Sequence, residues 1–140
     1  MIKQFEPSKL DQVMNIWLDT NIEAHPFVPK EFWLNNYEGV KSALFDAEIL
    51  IYEEELVKGF IGIIGGSYIA GLFVAKQFQG QGIGRKLIEE CKARYSSLVL
   101  DVFVKNSSAV QFYTNCGFEI IETKENEDTQ EEEYSMVWKA

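Results

Sequence analysis

Three glycines at alternate positions, Gly80, Gly82 and Gly84, separate an apolar run ending at Val74 from an amphipathic stretch that begins at Ile83. The segment from Val74 to Leu87 reads VAKQFQGQGIGRKL. It forces a strand, a tight loop and a helix in immediate succession, which selects folds that pack helices against a sheet. Glycine lets main-chain N–H groups approach a ligand with no Cβ in the way. The first turn of the following helix adds unpaired N–H groups at the positive end of a dipole. Together they suit a phosphate or pyrophosphate. The alternative is a glycine-rich turn that holds nothing.

Spacing decides among nucleotide loops. A Walker A loop ends in Gly-Lys-Ser or Gly-Lys-Thr, whereas Gly84 is followed by Arg85, Lys86 and Leu87. A dinucleotide fingerprint needs its third glycine three positions after the second; here the interval is two. Asp101 lies 21 residues beyond Gly80, a false echo of the acid that binds ribose in that fingerprint.

Periodicity places the loop in a mixed architecture. Ile2 to Phe5 reads as a strand that Pro7 ends, with Ser8 as the expected cap of a helix whose apolar stripe is Leu10, Val13, Met14 and Trp17. That helix should end near Glu23–Pro26. A second starts around Pro29 and carries Trp33, Tyr37, Val40 and Leu44 at helical spacing, weakened by Gly39. The period then changes. Ile49 to Tyr52, Leu56 to Ile64 and Tyr68 to Val74 read as a meander, turned by Glu53–Glu55 and by Gly65-Gly66. Ile83, Leu87, Cys91 and Tyr95 mark the next helix, Ser97 to Val104 a strand, and Ser107 to Asn115 a short helix. Gly117–Glu122 and Glu133–Trp138 are the last strands, with Lys124–Glu132 expected as a mobile acidic turn. The order β-α-α-β-β-β-α-β-α-β-β predicts an α/β (α+β) fold in a single domain, residues 1–140.

Composition narrows the function classes. The 140 residues are 46% hydrophobic and 25% charged, which suits a packed core and excludes a wholly disordered chain. Acidic residues outnumber basic ones 22 to 13, a net charge of −9, which argues against a nucleic-acid backbone as partner. No apolar run reaches the roughly 18 residues of a membrane span, and the N-terminal MIKQFEPSKL has no leader-like stretch. Two cysteines, Cys91 and Cys116, make no disulfide framework, so a reducing, cytoplasmic setting is expected. His25 is the single histidine, and no dense set of metal ligands exists.

A second segment supplies the context that a short loop lacks. Residues 98–118 read LVLDVFVKNSSAVQFYTNCGF. Gln79-x-x-Gly82-x-Gly84 resembles the coenzyme A pyrophosphate loop of the GNAT superfamily of N-acetyltransferases. Asn106, Ala109, Phe112-Tyr113 and Gly117-Phe118 resemble that superfamily's second signature. The resemblance covers nearly the whole chain. Trp17-Leu18, Asn21, His25-Pro26-Phe27 and Phe32-Trp33 are similar to the small bacterial acetyltransferases of the YiaC/YjaB type.

The resemblance implies a GNAT fold: a mixed central sheet of about seven strands, mostly antiparallel with a splayed central parallel pair, flanked by about four helices. It implies acetyl-CoA as co-substrate, no metal, and direct attack by a primary amine in a ternary complex. The YiaC/YjaB likeness adds a protein lysine as acceptor; a small amine or a protein N-terminus stays open, as does a homodimer. Tyr113 is implied as general acid at the coenzyme A sulfur; spacing alone reads it as a half-buried aromatic of the short helix. Asp101, which interrupts the apolar strand Leu98 to Val104, matches the position of a glutamate base in ribosomal-protein N-terminal acetyltransferases, one methylene shorter; it is either a base, directly or through water, or a carboxylate that faces solvent or receives backbone N–H groups. His25 is either a base or an acceptor contact, or a packed and capping residue. The coenzyme is expected on Phe73 and Val74 main-chain groups, on Gln79, Gly80, Gln81, Gly82, Ile83 and Gly84, on Arg85 and Lys86, and on Asn106 and Tyr113. Phe27, Trp33 and Tyr68, with His25, are expected to line the acceptor site or to be core aromatics. Asn106 competes with Ser107 to cap the short helix. The acidic residues Glu125 to Glu133 either attract a cationic acceptor or form a solvated turn. Two rival readings are a non-catalytic acyl-CoA sensor and a plain structural protein.

Overall fold

The computed structural model describes residues 1–140. Seven strands form one sheet: β1 (Ile2–Gln4), β2 (Glu48–Glu54), β3 (Leu56–Ile64), β4 (Tyr68–Val74), β5 (Ser97–Phe103), β6 (Glu119–Glu125) and β7 (Glu132–Lys139). Their spatial order is β1-β2-β3-β4-β5-β7-β6. Four helices flank it: α1 (Leu10–Ala24), α2 (Lys30–Ala43), α3 (Ile83–Arg94) and α4 (Ser107–Asn115). The GNAT fold expected from the sequence is the one observed.

The sheet is apolar on both faces because both are covered. Within β2, Ile49 and Ile51 join Val13, Met14, Trp17, Trp33 and Phe60 on the α1–α2 side. Leu50 and Tyr52 point to the opposite side and pack with Leu87, Ile88, Cys91, Leu98, Leu100 and Met136. A continuous apolar run such as Ile49–Tyr52 is therefore a central strand serving two cores.

One irregularity shapes everything near the glycine loop. Gly62 pairs with Gly71 and Ile63 with Ile69, so Ala70 is an extra residue, a β-bulge in β4. Before the bulge, the Val99 amide donates to the Ser67 carbonyl at 3.0 Å, and β4 and β5 pair in parallel at Tyr68–Val99 and Ile69–Leu100. After it the pairing stops. β4 remains laddered to β3 through Val74, and β5 to β7 through Phe103. The two halves of the sheet part like a wedge between residues 70–74 and 101–103.

The bulge also reverses which main-chain groups face the wedge. The Ala75 amide donates to the Lys58 carbonyl at 2.9 Å. With Gly59 opposite Val74 and Phe60 opposite Phe73, antiparallel alternation makes Phe73 exchange both its bonds with Phe60. The amides and carbonyls of Leu72 and Val74 turn toward the opening. The sequence expectation named Phe73 and Val74; the register replaces Phe73 with Leu72.

Three local expectations are corrected. Ser8 caps nothing: residues Pro7–Lys9 form a 3-10 turn ahead of α1, which has no side-chain cap. Only Glu55, at φ 69°, turns the β2–β3 hairpin, because Glu53 and Glu54 belong to β2. Glu53 is drawn into the strand by Lys3 at 2.9 Å and Lys9 at 2.6 Å. The last hairpin has longer strands than expected. β6 runs to Glu125, and Asn126 organises the turn: its Oδ1 accepts from the amides of Asp128 at 2.9 Å and Thr129 at 3.0 Å.

Two glycine substitutions with opposite effects test this packing. A Cβ at Gly59 would stand 2.8 Å from the Phe73 carbonyl oxygen and 3.3 Å from Ile83 Cγ2, so Gly59→Ala should destabilise by about 1–3 kcal/mol. Gly39, exposed within α2 with open space around it, should stabilise by about 0.5–1 kcal/mol as alanine. Urea unfolding of both variants measures the two signs.

Candidate functional site

The wedge, the glycine loop and α4 meet at one place, and each is built by a distinct local device. After β4, Lys76–Phe78 make a 3-10 turn, and the Gln79 amide is used internally, donating to the Lys76 carbonyl at 3.2 Å. From Gly80 to Arg85 no main-chain amide has an acceptor in the chain; the first amide used again is that of Lys86, bonded to the Gly82 carbonyl at 3.0 Å. Gly80 at φ 79° and Gly82 at φ 82° adopt the left-handed region that favours glycine. A Cβ on either would enter open space. These two glycines keep side chains away from the loop's unpaired N–H donors.

Gly84 serves a different purpose. It is helical, and a Cβ there would lie 3.2 Å from the Phe112 ring. Its absence lets α3 approach α4. The Gln79 side chain does not face the loop amides either: Nε2 donates to the Val74 carbonyl at 2.9 Å and closes the loop on the end of β4. Arg85 and Lys86 are exposed and make no ion pair; Lys86 Nζ sits 5.6 Å from the Tyr52 ring centre. The Val74 amide, both Leu72 main-chain groups and six loop amides thus have no partner in the chain, and two exposed cations stand beside them. A pyrophosphate followed by pantetheine amides fits this donor and acceptor set.

α4 is fastened at both ends. Asn106 is its cap: Oδ1 accepts from the Ala109 amide at 3.3 Å, and Ser107 plays no such part. At the other end Gly117 has φ 93°, its amide donates to the Thr114 carbonyl at 3.0 Å, and the Phe118 amide to the Tyr113 carbonyl at 3.0 Å. This is a Schellman closure, with Phe118 packed edge-on against Tyr113 at 5.7 Å. Lys92 of α3 donates to the Cys116 carbonyl. The Phe-Tyr and Gly-Phe pairs of the sequence are thus one device for holding Tyr113. The Tyr113 ring is buried with Leu100 and Val102 of β5. Its hydroxyl bonds to nothing in the chain and is not sealed from solvent. Burial pushes its pKa up, so the hydroxyl keeps its proton.

The α1–α2 side of the wedge carries a polar cluster. Asp101 accepts from Ser135 Oγ at 2.7 Å and Tyr68 Oη at 3.0 Å and pairs with Lys124 Nζ at 3.1 Å. Burial alone would raise its pKa; these donors together outweigh burial and hold it below the ordinary aspartate value of 3.8. Burial and the Asp101 charge push Tyr68 up. Glu133, next to Ser135 on the same face of β7 and opposite Phe103, makes no ion pair. Burial first, with the Asp101 charge behind it, holds Glu133 above the ordinary glutamate value against the Asn126 side chain and the Lys124 charge, which pull it down. Sequence reading counted Glu133 among the acidic turn residues. The alternation Glu133, Ser135 in a strand beside Asp101 was the signal that could have singled it out.

An aromatic group borders this cluster. His25 stacks on Trp33 at 5.3 Å and meets the edges of Phe27 at 5.7 Å and Phe103 at 5.0 Å. Trp33 is buried, its indole N–H unpaired, and Phe27 is half-buried with Lys105 Nζ 5.5 Å from its ring centre. Both His25 nitrogens are engaged: Nδ1 lies 3.0 Å from the Asn21 carbonyl and Nε2 3.2 Å from Asn106 Nδ2.

The sequence matches the family described as acetyltransferase (GNAT) domain over residues 34–138. It is 31% identical to the peptidyl-lysine N-acetyltransferase YiaC of Escherichia coli (strain K12), over 99% of this chain and 96% of that protein. The solution structure of apo YjaB from Escherichia coli superposes with a TM-score of 0.86 at 22% identity, over 99% of this chain and 96% of that one. An aminoglycoside 6'-N-acetyltransferase crystallised with coenzyme A superposes with a TM-score of 0.77 at 15% identity, over 99% and 96% of the two chains.

The pinned carboxylate makes a pH-linked prediction. The folded pKa of Asp101 lies below its unfolded value, so its contribution to stability is complete above that unfolded value and is lost as pH falls through the folded one. Urea unfolding of the native protein and of Asp101→Asn should give a constant stability difference above about pH 5, narrowing below about pH 4.

Proposed function

The chain belongs to the GNAT family of N-acetyltransferases, whose reaction is acetyl-CoA-dependent transfer of an acetyl group to an amine, and from that premise we propose that its acceptor is the ε-amine of a protein lysine. The observation that carries the reading is the unpaired main chain: free amides from Gly80 to Arg85, continuous with Leu72 and Val74 at the parted strands. Whole-length likeness to a peptidyl-lysine acetyltransferase supports the acceptor. An acidic face containing Asp101 and Glu133, bordered by aromatic rings, also supports it, because a long aliphatic stem ending in an ammonium matches both.

Acetyl-CoA supplies the thioester and its electrophilic carbonyl. The loop amides hold its pyrophosphate, with Arg85 and Lys86 beside them. Leu72 and Val74 bond the pantetheine amides as an added strand would. This sets the carbonyl in the wedge, between Tyr113 on the α4 side and the acidic cluster on the other, and positioning is a large part of the catalysis.

The proton inventory assigns the remaining roles. An acceptor ammonium must lose one proton before its nitrogen lone pair can form the N–C bond. Asp101 is a poor base, saturated by three donors and weakly basic. His25 has no free nitrogen. Glu133 makes no ion pair and is shifted toward higher pKa, which fits a group that takes this proton directly or through water. As the C–S bond breaks, Tyr113 Oη gives its proton to the departing sulfur. The second N–H proton is lost as the amide forms and replaces it on Oη. The products are the acetylamide, free thiol and one proton released through Glu133.

Turnover read as released thiol, across lysine peptides, N-terminal peptides and polyamines, should be fastest on lysine peptides. No thiol release with any amine would overturn the enzyme reading. Tyr113→Phe should lower kcat about 10²-fold while calorimetric coenzyme A binding stays within about twofold. Glu133→Gln should lower kcat/KM about 10²-fold and remove the limb by which activity rises with pH above the glutamate range; an unchanged pH profile would exclude Glu133 as the base.

A further inference from the structure

We propose that His25 is a positioning residue: its neutral imidazole fixes the Asn106 amide in the orientation that caps α4, and thereby holds Tyr113 in register on that helix. The proposal rests on Tyr113 as the proton donor of the preceding reading, but its structural half stands apart from it.

The chain of contacts has one consistent solution. The Asn21 carbonyl, 3.0 Å from Nδ1, can only accept, so Nδ1 carries the ring proton. Nε2 is then bare and accepts from Asn106 Nδ2 at 3.2 Å. With Nδ2 turned to the ring, Asn106 Oδ1 is turned to α4, where it accepts from the Ala109 amide at 3.3 Å and Ser108 Oγ at 3.4 Å. Tautomer, amide orientation and helix cap fix one another across 81 residues of sequence. Tyr113 lies seven residues past Asn106, about two helical turns along.

The surroundings keep the ring in that state. Asn21 faces it from α1, Trp33 from α2, Phe27 from the α1–α2 connection, Phe103 from β5 and Asn106 from the head of α4, and none is charged. The charged side chain next along these contacts is Lys105, which lies over Phe27 and pairs with Glu131 at 2.9 Å. Burial lowers the His25 pKa, so the imidazole is neutral at pH 7. A proton on Nε2 would confront the Asn106 NH2 with a second donor. The amide could answer only by turning over, which takes Oδ1 from the Ala109 amide and leaves α4 without its side-chain cap.

The single histidine makes the test clean, because a ring 15N label reports on His25 alone. The native protein should show the Nδ1-protonated tautomer and a titration below 6.5. In turnover, His25→Leu should lower kcat about 10- to 100-fold with KM for both substrates within about threefold. His25→Gln, whose Oε1 can still accept from Asn106, should recover most of kcat, and His25→Leu combined with Asn106→Ala should be no slower than Asn106→Ala alone. A proton found on Nε2 overturns the clamp, whatever reaction the protein catalyses. So does a Gln variant as slow as Leu, the result expected of a catalytic base. The expected tautomer without acetyl transfer to any amine would leave the clamp standing and remove the transferase reading instead.

Discussion

The parting of β4 from β5 is the feature on which the rest depends. Central strands normally satisfy their main-chain groups on both sides, and leaving them bare inside a fold is costly. This sheet tolerates the opening because each parted strand keeps one complete ladder: β4 with β3, β5 with β7. The bulge at Ala70 aims the surplus. One extra residue shifts the alternation, so Leu72 presents its amide and carbonyl, and Val74 its amide, to the wedge while Phe73 stays paired to Phe60. Gly71 belongs to the same device, since the Phe73 ring lies where a Cβ would stand. The unsatisfied edge then leads directly into the unsatisfied amides of Gly80 to Arg85.

Everything else arranges two faces around that edge. On one, α4 is held by a glycine closure at its foot and an asparagine cap at its head, and so holds a tyrosine whose hydroxyl retains its proton. On the other, β5, β6 and β7 contribute Asp101, Lys124, Ser135 and Glu133 at adjoining register positions. The contact between His25 and Asn106 spans the faces, because the α1–α2 connection reaches across the open end of the wedge to the start of α4.

Legibility in the sequence followed the range of the forces involved. Element order and most boundaries could be read because periodicity is local: Leu56–Ile64, Tyr68–Val74 and Ser107–Asn115 match the observed elements. The left-handed turns at Gly80 and Gly82 were also local, and visible. Gly84 was misgrouped with them, since its reason is Phe112, 28 positions away. The choice of Leu72 over Phe73 depends on a bulge, and nothing in the string Tyr68–Val74 marks which residue is extra. Glu53 read as turn because the two lysines that draw it into a strand lie some fifty residues upstream. His25 and Asn106 could each be singled out, but not paired.

The two carboxyls of the open face show most clearly why geometry had to assign the chemistry. In the sequence Glu133 was one of a run of acidic residues, and Asp101 was the candidate base, with a plain solvent-facing or backbone-bonded carboxylate as the alternative. Three donors now hold it ionised, and a carboxylate that gains little by accepting a proton is an electrostatic fixture. Its charge has a second effect, since it adds to burial in disfavouring ionisation of the neighbouring Glu133, and the Asn126 side chain and Lys124 do not offset the two. The environments thus push two similar groups in opposite directions, the arrangement by which one site keeps one carboxyl as a fixed charge and the other as a proton carrier. Lys124 is the arbiter. Placed opposite Glu133 in the β6–β7 ladder, it nonetheless makes its ion pair with Asp101 and none with Glu133.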